Sequence, residues 1–343
     1  MSYRYIGNKT RLLPVLMEEI NSLVPRGAVI ADVMCGTASV SEALRVSGYQ
    51  VIASDIMTFS SHHARVRLLL NRPPTFGGIG ADSYAEVQED LNHLAPVEGF
   101  FVRECSPGGK PANGEKPRMY FSTENAARLD AMNQRINFWN ENGELSENEN
   151  SLLRHDLILA ANRTANIAGT YGHFRSKWSN GSVSPIGLRL SEIICDFPTN
   201  HVVMQGAAEN IAHTIEADLC YIDPPYMKRQ YAANYHIIET IARGDEPEAV
   251  GVSGLRPWRD QYSDFCSKLK IRNSFRRIFS EMNCNQFLIS YSEDGLLTEN
   301  EMLELFGEFG EVTLKKIPFK RFKSNVGGEG GTVTEFLFHI RKT

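Results

Sequence analysis

The sequence lacks the signatures of several protein classes. Its six cysteines are scattered, with no Cys-x-x-Cys pair among them. Several lie inside apolar runs, so they read as buried free thiols rather than disulfides or zinc ligands. There is no excess of basic residues: 36 Lys and Arg face 41 Asp and Glu, for a net charge of −5. Any nucleic-acid binding must therefore rest on local patches. No signal-peptide core follows Met1, and no apolar run approaches the length needed to span a bilayer. No internal repeat is visible. His62, His63 and His173 have no second metal-ligand group at suitable spacing, so no metal is expected. These absences point to a soluble, cytoplasmic protein without membrane partners.

The chain has 343 residues with 42% hydrophobic content, room for a core plus a sizeable insertion. The most informative stretch is Leu219-Cys220-Tyr221-Ile222-Asp223-Pro224-Pro225-Tyr226. The apolar run reads as a buried parallel strand with Asp223 at its carboxyl end, where open α/β sheets place their ligands. The two prolines have no N–H and fix their own φ, and each pushes the residue before it toward extended backbone. A stiff turn results, whose carbonyl oxygens lack internal partners. A carboxylate beside a free carbonyl is a two-acceptor clamp for an –NH2 group, and Tyr226 adds a face on which a base can stack.

A second site lies upstream. Ala28 to Val33 reads as a strand, Cys35 to Ser39 as a small-residue turn, Val40 to Val46 as a helix, and Tyr49 to Asp55 as a second strand. This is a βαβ unit. Small residues let backbone approach a ligand closely, and Asp55 stands where dinucleotide folds bind ribose hydroxyls. The dinucleotide glycine fingerprint is missing, however, and Asp32 before the loop would repel a pyrophosphate. A ligand with a cationic amine and a ribose, S-adenosylmethionine, fits better.

Elsewhere, helices are expected over Arg11 to Leu23, Ser61 to Leu70, Asn125 to Asn140, Glu147 to Asn166, Ala232 to Arg243 and Glu299 to Phe306. Thr75 to Pro117, rich in Gly, Pro and charge, reads as irregular. His201 to Met204 and Gln286 to Tyr291 read as strands. Val312 to Phe319 and Thr334 to Ile340 alternate as a closing pair of strands, antiparallel if a hairpin joins them.

Tyr5-Ile6-Gly7-Asn8-Lys9, the Asp32 loop, Asp55, and Asp-Pro-Pro-Tyr after a long insertion together resemble the N6-adenine DNA methyltransferases of the Dam-like α group. The order of the blocks is part of the likeness, which spans nearly the whole chain. Arg229 to Tyr235 and Gly169-Thr170-Tyr171-Gly172 further resemble the restriction–modification branch that includes the FokI methyltransferase. The resemblance implies an α/β, S-adenosylmethionine-dependent methyltransferase fold: a Rossmann-like mixed sheet with one terminal antiparallel strand. It also implies an inserted, mainly helical target-recognition domain at 73–199, with the catalytic core at 1–72 and 200–343.

Carried over motif by motif, Tyr5, Gly7, Asn8 and Lys9 are expected to contact the cofactor from the N-terminal loop. Asp32 and Gly36 are expected at its methionine part and Asp55 at its ribose, with Cys35, Thr37 and Ile56 also expected at the cofactor. Asp223, Pro224, Pro225 and Tyr226 form the catalytic turn, with Asp223 also bordering the cofactor. Two positions depart from the family pattern: Ala38 replaces the last glycine of the cofactor loop, and Gly206-Ala207 replaces a Gly-Asp, leaving Glu209 as a substitute contact to adenine.

Arg175, Lys177, Arg229, Arg256, Arg259 and Lys323 are expected at DNA. Implied partners are duplex DNA, into which the enzyme must reach by flipping the base, and a cognate restriction endonuclease. The implied location is the cytoplasm, of bacterial or phage type and in association with the nucleoid. The competing reading is an S-adenosylmethionine-binding protein that is catalytically silent or directed at RNA or protein. Asn, common at the Asp223 position of glutamine-modifying relatives, is absent here, which disfavours it.

Overall fold

Among the described residues seven runs form strands: β1 (Val29–Asp32), β2 (Gln50–Asp55), β3 (Val202–Gln205), β4 (Leu219–Ile222), β5 (Gln286–Ser292), β6 (Gly310–Lys320) and β7 (Thr332–Lys342). The computed structural model describes residues 4–7, 9–112, 114–320 and 332–343. The strands make one sheet in the order β3-β2-β1-β4-β5-β7-β6. β7 is antiparallel to β5 and to β6, and every other pairing is parallel. The reversed strand is thus the last in sequence but second from the sheet edge. β4 is buried at all four positions, as a central strand covered on both faces must be.

Two units divide the chain. A sheet unit takes Gly7–Ala64, Phe197–Gln230 and Gln261–Thr343; a helical unit takes the chain up to Ile6, Arg65–Asp196 and Tyr231–Asp260. In the sheet unit, helix Ile271–Glu281 buries Ile271, Phe275, Ile278 and Phe279, one face at helical spacing. Phe306 of helix Glu299–Gly307 meets Phe275, Phe279 and the β7 residue Phe338 edge to face, with ring centroids 5.3, 5.5 and 5.3 Å apart. Such tilted packing suits the ring quadrupoles and anchors the β5–β7 side of the sheet.

The helical unit is built on Thr123–Glu141 and Glu147–Thr164. Ser146 and Glu149 form a reciprocal capping box at the start of the second, satisfying donors that a helix start leaves open. The segment 75–117, read above as irregular, contains helices Tyr84–His93 and Phe100–Cys105. The first hides a short apolar stripe, Tyr84, Val87 and Leu91, among charges, and Ser83 caps it. The expected helix over 232–243 is two, Tyr231–Asn234 and His236–Arg243. Tyr235 leaves helical geometry between them, and its hydroxyl accepts from the Ile6 N–H at 2.7 Å.

Segment Tyr231–Asp260 groups with the helical unit, where the sequence reading puts it with the core. Side-chain bonds explain the difference. Arg118 donates to the carbonyls of Gly251 and Val252 at 2.8 and 3.2 Å while pairing with Glu104. The His236 ring bonds the Tyr171 carbonyl, and the Tyr171 N–H donates to Asn234. Five cysteines are buried and Cys195 is exposed, all of them free. Among the described residues no helix is long and apolar enough to cross a membrane.

Candidate active site

In the sheet unit the chain order reverses between β1 and β4, which lie side by side with Asp32 paired to Tyr221. The crevice outside the carboxyl ends of strands at such a point is where open α/β sheets bind ligands. Asp32 ends β1, Asp55 ends β2, and Asp223 follows β4 directly. Three acids distant in sequence therefore share one edge.

The turn after β1 is held by the end of β2. Asp55 Oδ2 accepts the Gly36 N–H at 2.9 Å, Asp55 Oδ1 accepts the Met57 N–H at 2.8 Å, and the Cys35 N–H donates to the Ser54 carbonyl at 3.0 Å. Gly36 has φ +51, and Ala38 has φ +57. Ala38 thus occupies the left-handed region that disfavours a Cβ, which is the physical meaning of its replacing glycine. Cys35 and Thr37 are buried, and burial pushes the Cys35 thiol up. Ile56 is half-buried, and its carbonyl accepts from Gln261 Nε2 at 3.0 Å.

Asp32 is almost fully buried. Ser41 donates to its Oδ2 at 2.6 Å, while its Oδ1 is buried without a hydrogen-bond partner among the described residues. Burial carries this carboxyl up to about 7, with Ser41 opposing and the charges of Asp223 and Asp55 adding. A buried acid with an unfilled oxygen is a seat for a cationic group. The residues around it therefore fit S-adenosylmethionine, which carries an ammonium and a ribose.

At the other side of the crevice, Tyr226 Oη donates to Asp223 Oδ1 at 2.6 Å. The Tyr226 ring meets Tyr291 edge to face at 5.1 Å, and its carbonyl accepts the Leu296 N–H at 3.0 Å. The turn is thereby locked to β5 and the loop after it. Lys9, expected at the cofactor, reaches this turn: its buried Nζ lies 3.2 Å from Asp223 Oδ1 and bonds the Tyr226 hydroxyl. Burial raises the Asp223 carboxyl above its ordinary range, and Lys9 and the Tyr226 hydroxyl pull it back.

Sequence reasoning missed Glu335. It stands on β7 opposite Ser292 and Ile317, with Oε2 3.7 Å from Lys9 Nζ. Burial carries it up to about 7, opposed by Lys9, with Asp223 adding. Its one signal in the sequence is an acid inside the apolar run Thr334 to Ile340.

The remaining expected residues are placed as follows. Tyr5 belongs to the helical unit, stacked on Tyr235 at 4.8 Å. Gly7 is exposed with φ +82. Asn8 and Lys323 lie outside the described residues. Glu209 is buried on the short helix Ala208–Ile211 and burial raises its carboxyl.

Arg175 and Lys177 are exposed on a loop of the helical unit that is tied down by an Ile167–Phe174 bridge and by Asn166 Nδ2 donating to the Arg175 carbonyl at 2.9 Å. Arg229 and Arg259 are exposed. Arg256 is not available to a phosphate. It is 4% exposed and grips Asp245 with two bonds of 2.9 and 2.6 Å. The basic stretch after it is paired with acids: Lys268 and Arg272 with Glu301, Lys270 with Asp264, Arg276 with Glu308 and Arg277 with Glu281.

Comparison with known proteins bears on the same residues. The Type II methyltransferase M.FokI of Planomicrobium okeanokoites is 32% identical over 99% of this chain and 52% of its own length. Modification methylase StsI of Streptococcus sanguinis is 30% identical over 99% of this chain and 52% of its own. The Type II methyltransferase M.NlaIII of Neisseria lactamica is 30% identical over 99% of both chains. The chain thus spans about half the length of the first two relatives and nearly all of the third. A solved Thermoplasma acidophilum structure aligns over 95% of this chain and 85% of that one at a TM-score of 0.38 and 9% identity, too slight a likeness to add to the fold. The model of the D12 class N6 adenine-specific DNA methyltransferases matches residues 5–305. On that match, and on the acids that its sheet gathers, the chain belongs to the D12 class of N6 adenine-specific DNA methyltransferases.

Proposed function

We propose that this chain methylates N6 of an adenine flipped out of duplex DNA at a specific site, with S-adenosylmethionine as donor. The observation that carries the reading is the Asp223 carboxylate at the carboxyl end of β4, fixed by Tyr226 through Oδ1, in the sheet unit that also holds Asp32 and Asp55.

The donor, when bound, supplies an electrophilic methyl on a sulfonium. Asp32 would hold its ammonium and Asp55 its ribose, with the Gly36 turn allowing close approach. Adenine N6 is a poor nucleophile because its lone pair is delocalised into the ring. With Oδ1 engaged by Tyr226 and Lys9, Asp223 offers Oδ2 to one N6 hydrogen and the Pro224 carbonyl takes the other. Holding both hydrogens localises the lone pair on N6 and aims it at the methyl. The same two oxygens stabilise positive charge as it develops on N6, and N6 then loses one proton, to Asp223 or to water, as the spent donor would leave as a neutral thioether. Tyr226 supplies a stacking face for the extruded base.

The helical unit is the proposed target-recognition domain, with Arg175 and Lys177 toward DNA. That unit takes the chain up to Ile6, Arg65–Asp196 and Tyr231–Asp260, more of the chain than the inserted 73–199 expected from the sequence. Membership of a restriction–modification system, with a cognate endonuclease, is supported by the Type II names of M.FokI and M.NlaIII.

The test is methyl transfer from labelled S-adenosylmethionine to duplex DNA, RNA and protein, with wild type and Asp223→Ala. The expected result is label on duplex adenine at one sequence context and its loss in the variant. Full methylation by a folded Asp223→Ala protein would sink the catalytic assignment.

A further inference from the structure

Lys9 is bound to the acid that the reaction needs. Its ammonium sits 3.2 Å from Asp223 Oδ1 and bonds the Tyr226 hydroxyl that itself donates to the same oxygen. A cation there opposes the reaction, because N6 becomes positive as it accepts the methyl, and a carboxylate neutralised by a lysine stabilises that charge less. The lysine is also only 5% exposed, so water does little to screen it.

Glu335 is placed to correct this. It reaches the ammonium from β7, a different strand from either partner, and its Oε2 lies 3.7 Å from Nζ. That is too long for a hydrogen bond, and Oε2 is buried with no hydrogen-bond partner among the described residues. One ammonium thus stands between two carboxylates. It is bonded toward Asp223 and drawn from the other side by Glu335, whose carboxyl is lowered by Lys9 and by the Tyr226 hydroxyl.

We propose that Glu335 is a positioning residue for methyl transfer: by sharing the Lys9 ammonium, it leaves the Asp223 carboxylate able to hold an amine that is turning into a cation. The inference rests on the methyltransferase reading above and adds a residue to it. Among the described residues, the charged and titratable groups facing this cluster are Lys9 from the N-terminal loop, Tyr221 on β4 and Asp223 just after it, Tyr226 on the turn, Asp32 at the end of β1 and Glu335 from β7. Of these only Lys9 is cationic. Removing the Glu335 charge therefore hands the whole ammonium to Asp223, and removing Lys9 leaves the acids to repel one another. The two changes act on Asp223 in opposite directions.

The experiment uses Glu335→Gln, Lys9→Met and the double variant in the full chain. Carbon-13 carboxyl titration of the free protein, with Asp223→Asn to assign the signal, gives the Asp223 midpoint without any substrate. Glu335→Gln is expected to lower it and Lys9→Met to raise it, each by about one pH unit, the size an adjacent charge produces. The double variant should return near wild type. In single-turnover methylation of duplex DNA, Glu335→Gln should lose roughly tenfold or more in rate, less than the loss of a direct transition-state donor. Cofactor affinity should be unchanged, and Glu335→Asp should recover most of the rate.

Midpoints that move in the same direction, or not at all, overturn the proposal, as does full activity of Glu335→Gln. If Glu335→Gln does not fold, Lys9→Met alone decides: both the Asp223 and Glu335 midpoints rise if the ammonium is shared, and a rise of Asp223 alone refutes sharing. If wild type methylates no DNA, the proposed function fails, and the titration still settles the role of Glu335.

Discussion

Asp55 Oδ2 accepts the Gly36 N–H at 2.9 Å, so the acid that ends one strand holds the turn that follows its neighbour. The bond couples shape and binding: the same carboxylate that would meet the ribose also fixes the backbone that would meet the methionine part.

Asp55→Ala should therefore fail twice. It leaves the Gly36 and Met57 N–H groups without their acceptor in a buried setting, a cost of about 1–3 kcal/mol per orphaned donor. Urea denaturation should show that loss, and calorimetry should show cofactor affinity falling by more than stability alone explains. Asp55→Asn, which keeps one acceptor, should lie between. Wild-type affinity in a folded Asp55→Ala protein would exclude Asp55 from the cofactor site.

Asp32 predicts a pH dependence. Its carboxyl is raised from 3.8 to about 7 in the folded chain, so between those values the folded state binds more protons than the unfolded one. Stability is then fully present below about 4 and falls as pH rises toward and through 7. Glu335, raised from 4.5 to about 7, acts with the same sign. Asp32→Asn should flatten the curve, making the variant more stable than wild type at pH 8 by on the order of 1–3 kcal/mol. Affinity for the cationic cofactor should run the other way, strengthening as pH rises through 7 and Asp32 ionises. A wild-type urea midpoint that climbs steadily from pH 5 to pH 8 would contradict the assignment.

Ala38 tests the cofactor turn. At φ +57 and fully buried, it tolerates glycine, because relief of strain offsets the added freedom of the unfolded chain; Ala38→Gly should stay within about 1 kcal/mol of wild type. Ala38→Val, β-branched in the left-handed region, should lose about 1–3 kcal/mol and weaken cofactor binding. Denaturant midpoints read both.

Basic residues separate into two kinds. Arg256→Ala removes a guanidinium gripped by Asp245 and Thr240 and should lower stability by about 1–3 kcal/mol, since its acid partner is partly solvated. It should leave the salt dependence of DNA binding unchanged. Arg175→Ala and Lys177→Ala should do the reverse, each reducing the slope of log affinity against log salt by about one if it meets a phosphate. Fluorescence anisotropy at several salt concentrations distinguishes them.

The sequence alone determined where acids end strands. Leu219 to Ile222 is apolar throughout and is followed by Asp223 and two prolines; Asp32 and Asp55 close runs of the same kind. Hydrophobic periodicity and proline geometry act over a few residues, so these features were legible, and with them the order of motifs that names the family. The short helices at 84–93 and 100–105 were not, because glycines, prolines and charges mask their apolar stripes. Only the tertiary structure decided which distant groups meet. It brought Lys9 onto Asp223 and Glu335, 326 positions further along, onto the same ammonium, and it turned Arg256 inward to Asp245. The physical reason is that a charge has no periodicity. Whether it faces water, a phosphate or another charge depends on what the fold buries beside it.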